Sequence, residues 1–466
     1  MSWFLPAPAP MTREEWERAV LDPSSRRSPP AGGDDVTSAS GRVVRSVYTP
    51  DDIGAIDANA DVGRSGAFPF TRGVRISTPE LPGVWNMEAA AGGGRRVDVN
   101  ARCRHLIEGG AAALMIPVHA GGSNPVSAAR SDMVAINSLD DMVELLDGVD
   151  IGTVALSFDG DAPAPVVFAL FLAAAQRRGV SWSLLRGRVG HDLLAGRLSS
   201  PNAFTPARSA WLSAQLLAFC AASTPHIMPV SVGAYRLCEG GATPGDELSA
   251  ALAAAMNCLD GLVPAGHDAE LLAPRLSFIL GAQGDLFEVV AKCRAARLVW
   301  ARVLRERFGV VSDAACAMHL GVRLPAPADV RTDPGTDAVL ATYQLLAAAL
   351  GGAETVTSLP APLSSSATWP LRAQQVIALE SGLADAVDPL GGSYFLERLT
   401  SDIAHQVIAS LADVQMERGR SGAADPVHLI ETLVSRAHDG ATVAEMWDDV
   451  VNRNPLAQRG GGHTGT

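Results

Sequence analysis

Eight short apolar runs, each followed by space for a helix, constrain this chain more than any other feature. They fall at residues 113–118, 154–158, 180–185, 227–233, 276–281, 314–319, 355–360 and, least distinctly, 384–389. Continuous runs, as opposed to alternating ones, belong to strands buried on both faces, as in a parallel sheet covered by helices. Helical patterns follow at 165–178, 207–222, 246–259, 285–308, 337–350 and 371–381. Eight such units predict an α/β fold of the (β/α)8 barrel type. An open doubly wound sheet competes, but no G-x-G-x-x-G follows the first run.

The flanks read differently. Residues 1–65 mix Pro, Gly, Ser and Asp around one short helical stretch at 12–21, and are expected to form an arm lying on the barrel of residues 66–400. Residues 401–454 read as a helical extension (401–418, 426–438 and 442–453), and the Gly-rich 455–466 as a mobile tail.

Composition narrows the function. The 466 residues are 47% hydrophobic, enough for a sizeable core, and carry a net charge of −13. An acidic surface disfavours nucleic acid and anionic lipid. The six cysteines lack metal-ligand spacing and read as reduced cytosolic thiols. No leader and no apolar run of about 18 residues is evident, so a soluble cytoplasmic protein is expected.

Several blocks then carry a resemblance: FPFTRG (68–73), EGGAT (239–243), PRLSF (274–278), KCRAARLVWAR (292–302), LGG (350–352) and VDPLGGSY (387–394). In order and spacing they resemble the acyl-CoA mutases of the methylmalonyl-CoA mutase family, over residues 65–450. The resemblance implies a (β/α)8 barrel threaded by the pantetheine arm of coenzyme A, with adenosylcobalamin presented at the barrel's C-terminal face by a separate domain. It also implies roles for Arg275 and Ser277 in coenzyme A contact, with His226, His319 and Arg72 as further candidates.

Several reactive positions depart from the family's pattern. Where the family has R-Q-Y-A-G, WNMEAAAG (85–92) puts Glu88 at the arginine and Ala90 at the tyrosine. GRVGHD (187–192) places Gly190 at a substrate-binding glutamine and keeps Asp192. AYRLCEGGAT (234–243) keeps Tyr235 but puts Arg236 at the histidine that meets the thioester oxygen. MHLGVRL (318–324) keeps His319 and loses a glutamine. No histidine sits in the cobalt-ligating D-x-H-x-x-G; His119 comes nearest, with Pro117 at the aspartate. The matched barrel module ends with residues 442–453, so no metal or cofactor is expected on this chain alone, and adenosylcobalamin is expected on a partner.

Two readings follow, with a third behind them. The chain is a catalytically degenerate barrel paired with an active mutase chain. Alternatively it is the barrel of a split mutase, completed by a separate cobalamin-binding subunit, in which Tyr235, Arg236, His191 and His319 form a rebuilt site, with Asp192 a further catalytic candidate. The third is an acyl-CoA sensor. Arg236 requires an anionic partner in each: a ligand, or else Glu88, Glu239 or Asp192. His191 is expected in a surface loop, and both His191 and His319 at the barrel's C-terminal end. Glu288 and Lys292 are expected as a solvated i,i+4 pair.

Overall fold

The computed structural model describes residues 12–16, 18–19, 36–38, 40–75, 84–119, 133–160, 164–194, 206–325, 334–359 and 368–413. Eight parallel strands close into a barrel: β1 (Asn86–Ala90), β2 (Ala113–His119), β3 (Ala155–Gly160), β4 (Arg186–Asp192), β5 (His226–Gly233), β6 (Leu276–Gly281), β7 (His319–Arg323) and β8 (Thr355–Ser358). Each pairs with the next, and β8 closes on β1 through Thr355–Asn86 to Ser358–Ala89. A helix follows every strand: α1 (Arg96–Glu108), α2 (Leu139–Leu145), α3 (Ala164–Arg177), α4 (Pro206–Ser223), α5 (Pro244–Leu262), α6 (Leu286–Arg307), α7 (Pro334–Leu350) and α8 (Trp369–Glu380). The (β/α)8 expectation holds.

Three strand assignments are corrected. Residues 180–185 are not a strand: Ser181 caps a 3-10 turn at Trp182–Leu184, and β4 begins at Arg186. Residues 314–319 hold a one-turn helix, Asp313–Cys316, capped by Ser312, before β7 opens at His319. Residues 384–389 form turns, while the first barrel strand is β1, whose sequence NMEAA lacks an apolar run. In β1, β4 and β7 the positions facing the bore are polar, so the both-faces-apolar rule selects neighbouring segments instead.

Outside the barrel, α9 (Tyr394–Asp413) lies against α6 and α5 and starts before the expected 401. The expected helices at 426–438 and 442–453, and the tail, lie outside the described residues. Of the helix expected at 12–21, Arg13–Trp16 is described. An 18-residue window within Pro244–Ala265 has mean hydropathy 1.4, yet half of that window is buried inside the protein, as suits a core helix.

Burial of α6 overturns the solvated-pair expectation for Glu288 and Lys292. The arm, α9 and α5 all pack on it, so both residues are buried and turn away from each other. Glu288 Oε1 accepts from the arm's Ser38 hydroxyl at 2.6 Å and also from Ser40. Lys292 is bonded to Glu247 of α5 and donates to the Gly281 carbonyl at 2.8 Å. On the same helix, Arg297 donates to the carbonyls of Phe70 (2.9 Å) and Thr71 (3.1 Å), which fixes the FPFTRG segment. Burial with no carboxylate bonded to it pushes the Arg297 pKa down to about 10. Arg294 joins the carboxylates of Asp388 and Glu397, both at 2.6 Å.

Candidate functional site in the barrel bore and mouth

The bore is crossed by a buried ion pair. Glu88, 2% exposed on β1, accepts from Ser157 of β3 at 2.7 Å, from Arg188 of β4 at 2.6 Å, and from Thr357 of β8. Arg188 reaches so far from its own strand that a Cβ on Gly321 of β7 would lie 3.6 Å from its Nη1. Side chains from β1, β3, β4 and β8 thus meet on the axis. A carboxylate with three donors, one of them a guanidinium, is a fully satisfied network in a low-dielectric setting.

Above it, toward the strands' C-terminal ends, a small chamber of about 20 Å³ is lined by Ser157, Asp159, Asp192, Ser231, Tyr235 and Arg323, among others. Arg323 Nη1 donates to Asp159 Oδ2 at 2.6 Å and to the Tyr235 hydroxyl at 2.8 Å. Burial works to raise the Asp159 pKa, but the charges of Arg323 and Arg236 outweigh it and hold the group below the usual carboxylate value. Asp192 goes the other way. Burial raises it, and its amide donors Gly233 (3.0 Å) and Leu194 (2.9 Å) offset this only in part. Burial likewise raises the Tyr235 pKa, so this phenol stays protonated at neutral pH.

Arg236 takes up the position anticipated at the mouth, beside the Tyr235 ring, 5.1 Å from its centroid. Of the three carboxylates offered as partners, Asp192 is the near one. Its Oδ2 lies 4.0 Å from Arg236 Nε, at the limit of an ion pair, and that nitrogen is buried without a hydrogen bond. Glu88 is taken by Arg188.

The remaining candidates do not converge on the mouth. His191 is a buried β4 residue, not a loop residue, and its Nε2 pairs with Ser213 of α4 at 3.2 Å, because β4 extends to Asp192. His319 opens β7 and therefore sits at the opposite, N-terminal end, with Nδ1 3.3 Å from Glu354. That end also holds exposed His226 at the start of β5, Arg275 donating to the Pro225 carbonyl, and buried Ser277 on β6. Arg72 is bonded at 2.8 Å to Asp388 of the VDPLGGSY loop, tying two of the motif segments together.

Gly190 shows that the missing glutamine is a backbone difference. Its φ is +65° beside a bulge in β4, and a Cβ there would fall 2.2 Å from the Phe158 carbonyl oxygen. Gly190→Gln is therefore expected to cost stability, by more than the roughly 1–2 kcal/mol of a left-handed side chain alone, and not to restore a ligand. Chemical denaturation checks this; an unchanged midpoint would contradict it.

His319 yields a pH dependence. Burial opposes its charge, but the bond to Glu354 outweighs this and raises its pKa above 6.5. The pair's stabilisation is thus complete below about pH 6.5 and fades as pH rises through the raised value. The Tm difference between wild type and His319→Asn should shrink between pH 6 and 9; a difference that grows would contradict the assignment.

Sequence reasoning named Glu88, Tyr235, Arg236 and Asp192, but not Arg188, Asp159, Arg323 or Ser231. The signal for them is period-2 polarity inside otherwise apolar strands, which in a closed barrel points along the bore.

Residues 37–448 match the family model described as Methylmalonyl-CoA mutase. The chain is 29% identical over 437 residues to the 2-hydroxyisobutanoyl-CoA mutase large subunit of Aquincola tertiaricarbonis, covering 90% of this chain and 77% of that protein. It is 27% identical over 441 residues to the methylmalonyl-CoA mutase of Escherichia coli strain K12, covering 91% of this chain and 61% of that one. Against the probable mitochondrial methylmalonyl-CoA mutase of Caenorhabditis elegans it is 27% identical over 373 residues and spans half of that protein's length. Similarity across nearly the whole barrel, in a (β/α)8 architecture, places the chain in the methylmalonyl-CoA mutase family, to which it belongs as an acyl-CoA mutase barrel.

Proposed function

We propose that this barrel is catalytically silent and serves as the structural partner of an active, adenosylcobalamin-dependent acyl-CoA mutase chain. The observation that carries this reading is the Glu88–Arg188 pair with Ser157 and Thr357, which lies across the bore along which a pantetheine arm would thread. The rest of the site points the same way: alanine at 90, a backbone-enforced glycine at 190 and a guanidinium at 236 leave neither the tyrosine nor the glutamine that steer substrate in the family.

The described residues also do not suit cobalamin. A histidine of this chain that held cobalamin would need a ring nitrogen free of protein partners. Here His191 faces α4, His319 lies at the other end and His119 is buried, and among the described residues no group of three His, Cys, Asp or Glu side chains could hold a metal ion. On this reading the partner chain carries the cofactor.

The split-mutase reading has one observation in its favour, the similarity to a protein named as a mutase large subunit. Assay of the purified chain with a cobalamin-binding subunit, adenosylcobalamin and a panel of acyl-CoA esters separates the two. The partner reading expects no isomerisation above background, together with a raised Tm of an active mutase chain on mixing. Turnover of any acyl-CoA would sink it in favour of the split enzyme.

A further inference from the structure

Three of the motif segments meet at a cavity of about 60 Å³, between the starts of β1 and β8 and the loop that joins α8 to α9. The chain from FPFTRG to Arg75, the LGG turn and the VDPLGGSY loop bring Arg72, Arg75, Gly352 and Asp388 to it, and Arg297 of α6 reaches it as well. A water needs roughly 10–15 Å³ of such space, so there is room for a few waters or one compact ion. Much of the remaining wall is apolar, with Val74, Trp85, Leu350, Leu383 and Val387.

The charges around this cavity do not balance. Asp388 is shared between Arg72 at 2.8 Å and Arg294 at 2.6 Å, and Arg294 also takes Glu397. Glu354, whose charge acts on Arg75, is bonded to His319. Four guanidiniums thus share three carboxylates, which leaves one positive charge in excess in a largely buried setting. Arg297 is where the excess lies. It spends three of its five N–H groups on the carbonyls of Phe70, Thr71 and Gly352, which accept from a guanidinium without neutralising it. Arg72 brings a second set of donors, since only its Nε is hydrogen-bonded among the described residues.

We infer that this cavity is a site for one small, weakly hydrated monoanion, a halide or nitrate, held between the remaining N–H groups of Arg72 and Arg297 and the apolar wall. One negative charge matches the excess. A phosphate dianion would over-neutralise it and give up more hydration than an apolar wall returns. The ion ties the arm to α6 and to two loops, so it acts on the stability of that junction and is independent of what the bore admits.

Thermal melts of the full chain in sodium chloride, bromide, nitrate or phosphate, with ionic strength held constant by sodium gluconate, test the inference, together with anomalous scattering from bromide-soaked crystals. Tm should rise saturably with the halides and nitrate, with a midpoint in the millimolar range, and the anomalous peak should lie between Arg72 and Arg297. Arg72→Gln leaves Asp388 with Arg294 and should raise the midpoint by about tenfold, the effect of one lost charge-assisted hydrogen bond. Ala384→Leu, at a buried position in the wall, should fill the cavity and abolish the saturable rise, while its melt in gluconate alone reports whether it folds. No saturable rise, a rise unchanged in both variants, a bromide peak elsewhere, or a stronger effect of phosphate than of bromide would overturn the inference.

Discussion

Glu88→Ala is expected to destabilise the protein by about 3–5 kcal/mol, because it strands Arg188 in the bore without a counter-charge. The Ser157 and Thr357 hydroxyls would lose their acceptor in the same step. Glu88→Ala combined with Arg188→Ser should recover most of that loss, since removing both partners of a buried pair avoids the unpaired charge. The double variant carries the functional consequence: with the axial side chains gone, the bore should admit an acyl-pantetheine arm that the wild type is expected to exclude. Denaturation midpoints give the first quantity, and titration with an acyl-CoA gives the second. Equal stability of the single and double variants would show that Glu88 and Arg188 are not coupled.

The second large effect concerns Lys292, the chain's only lysine, at 1% exposure against fully buried Glu247. Together they hold both polar backbone groups of the last β6 residue: Glu247 accepts from the Gly281 N–H at 2.7 Å, and Lys292 donates to its carbonyl at 2.8 Å. Lys292→Met leaves Glu247 buried without its counter-charge, at a cost of about 3–5 kcal/mol. Adding Glu247→Gln should restore part of it. Burial lowers the ammonium's pKa, but Glu247 outweighs this and raises it above 10.5, so the pair's contribution is complete below that pH and is lost only in stronger alkali. Thermal melts of the single and double variants at pH 7 and pH 10 check both statements; a Lys292→Met protein as stable as wild type would contradict them.

Legibility from sequence followed a simple physical division. Strands β2, β3, β5 and β6 are visible because most of their residues are apolar and stand out as runs, β8 because three of its four residues are β-branched, and the crossover helices because their lengths fit the gaps. The strands that escaped, β1, β4 and β7, are those contributing Glu88, Arg188 and Arg323 to the bore. The functional interior therefore hid the elements that build it. The same cause misplaced the histidines: shifting β4 later buried His191 against α4, and starting β7 at His319 moved that residue to the N-terminal rim. The Glu288–Lys292 misreading has a different origin, since i,i+4 spacing cannot show that an arm and a ninth helix cover the face concerned.

The departures at 88, 90, 190 and 236 were legible one by one, but not their combined meaning. Only the spatial meeting of Glu88 with Arg188, 100 positions apart, turns a lost arginine into an ion pair across the bore.

Titration of the wild-type chain with an acyl-pantetheine tests this central claim most directly. That probe carries the arm that would thread the barrel but none of the phosphates that the basic groups at the N-terminal rim could capture. No saturable binding is the predicted result, with binding appearing in the Glu88→Ala/Arg188→Ser protein. Micromolar binding to the wild type would contradict the account.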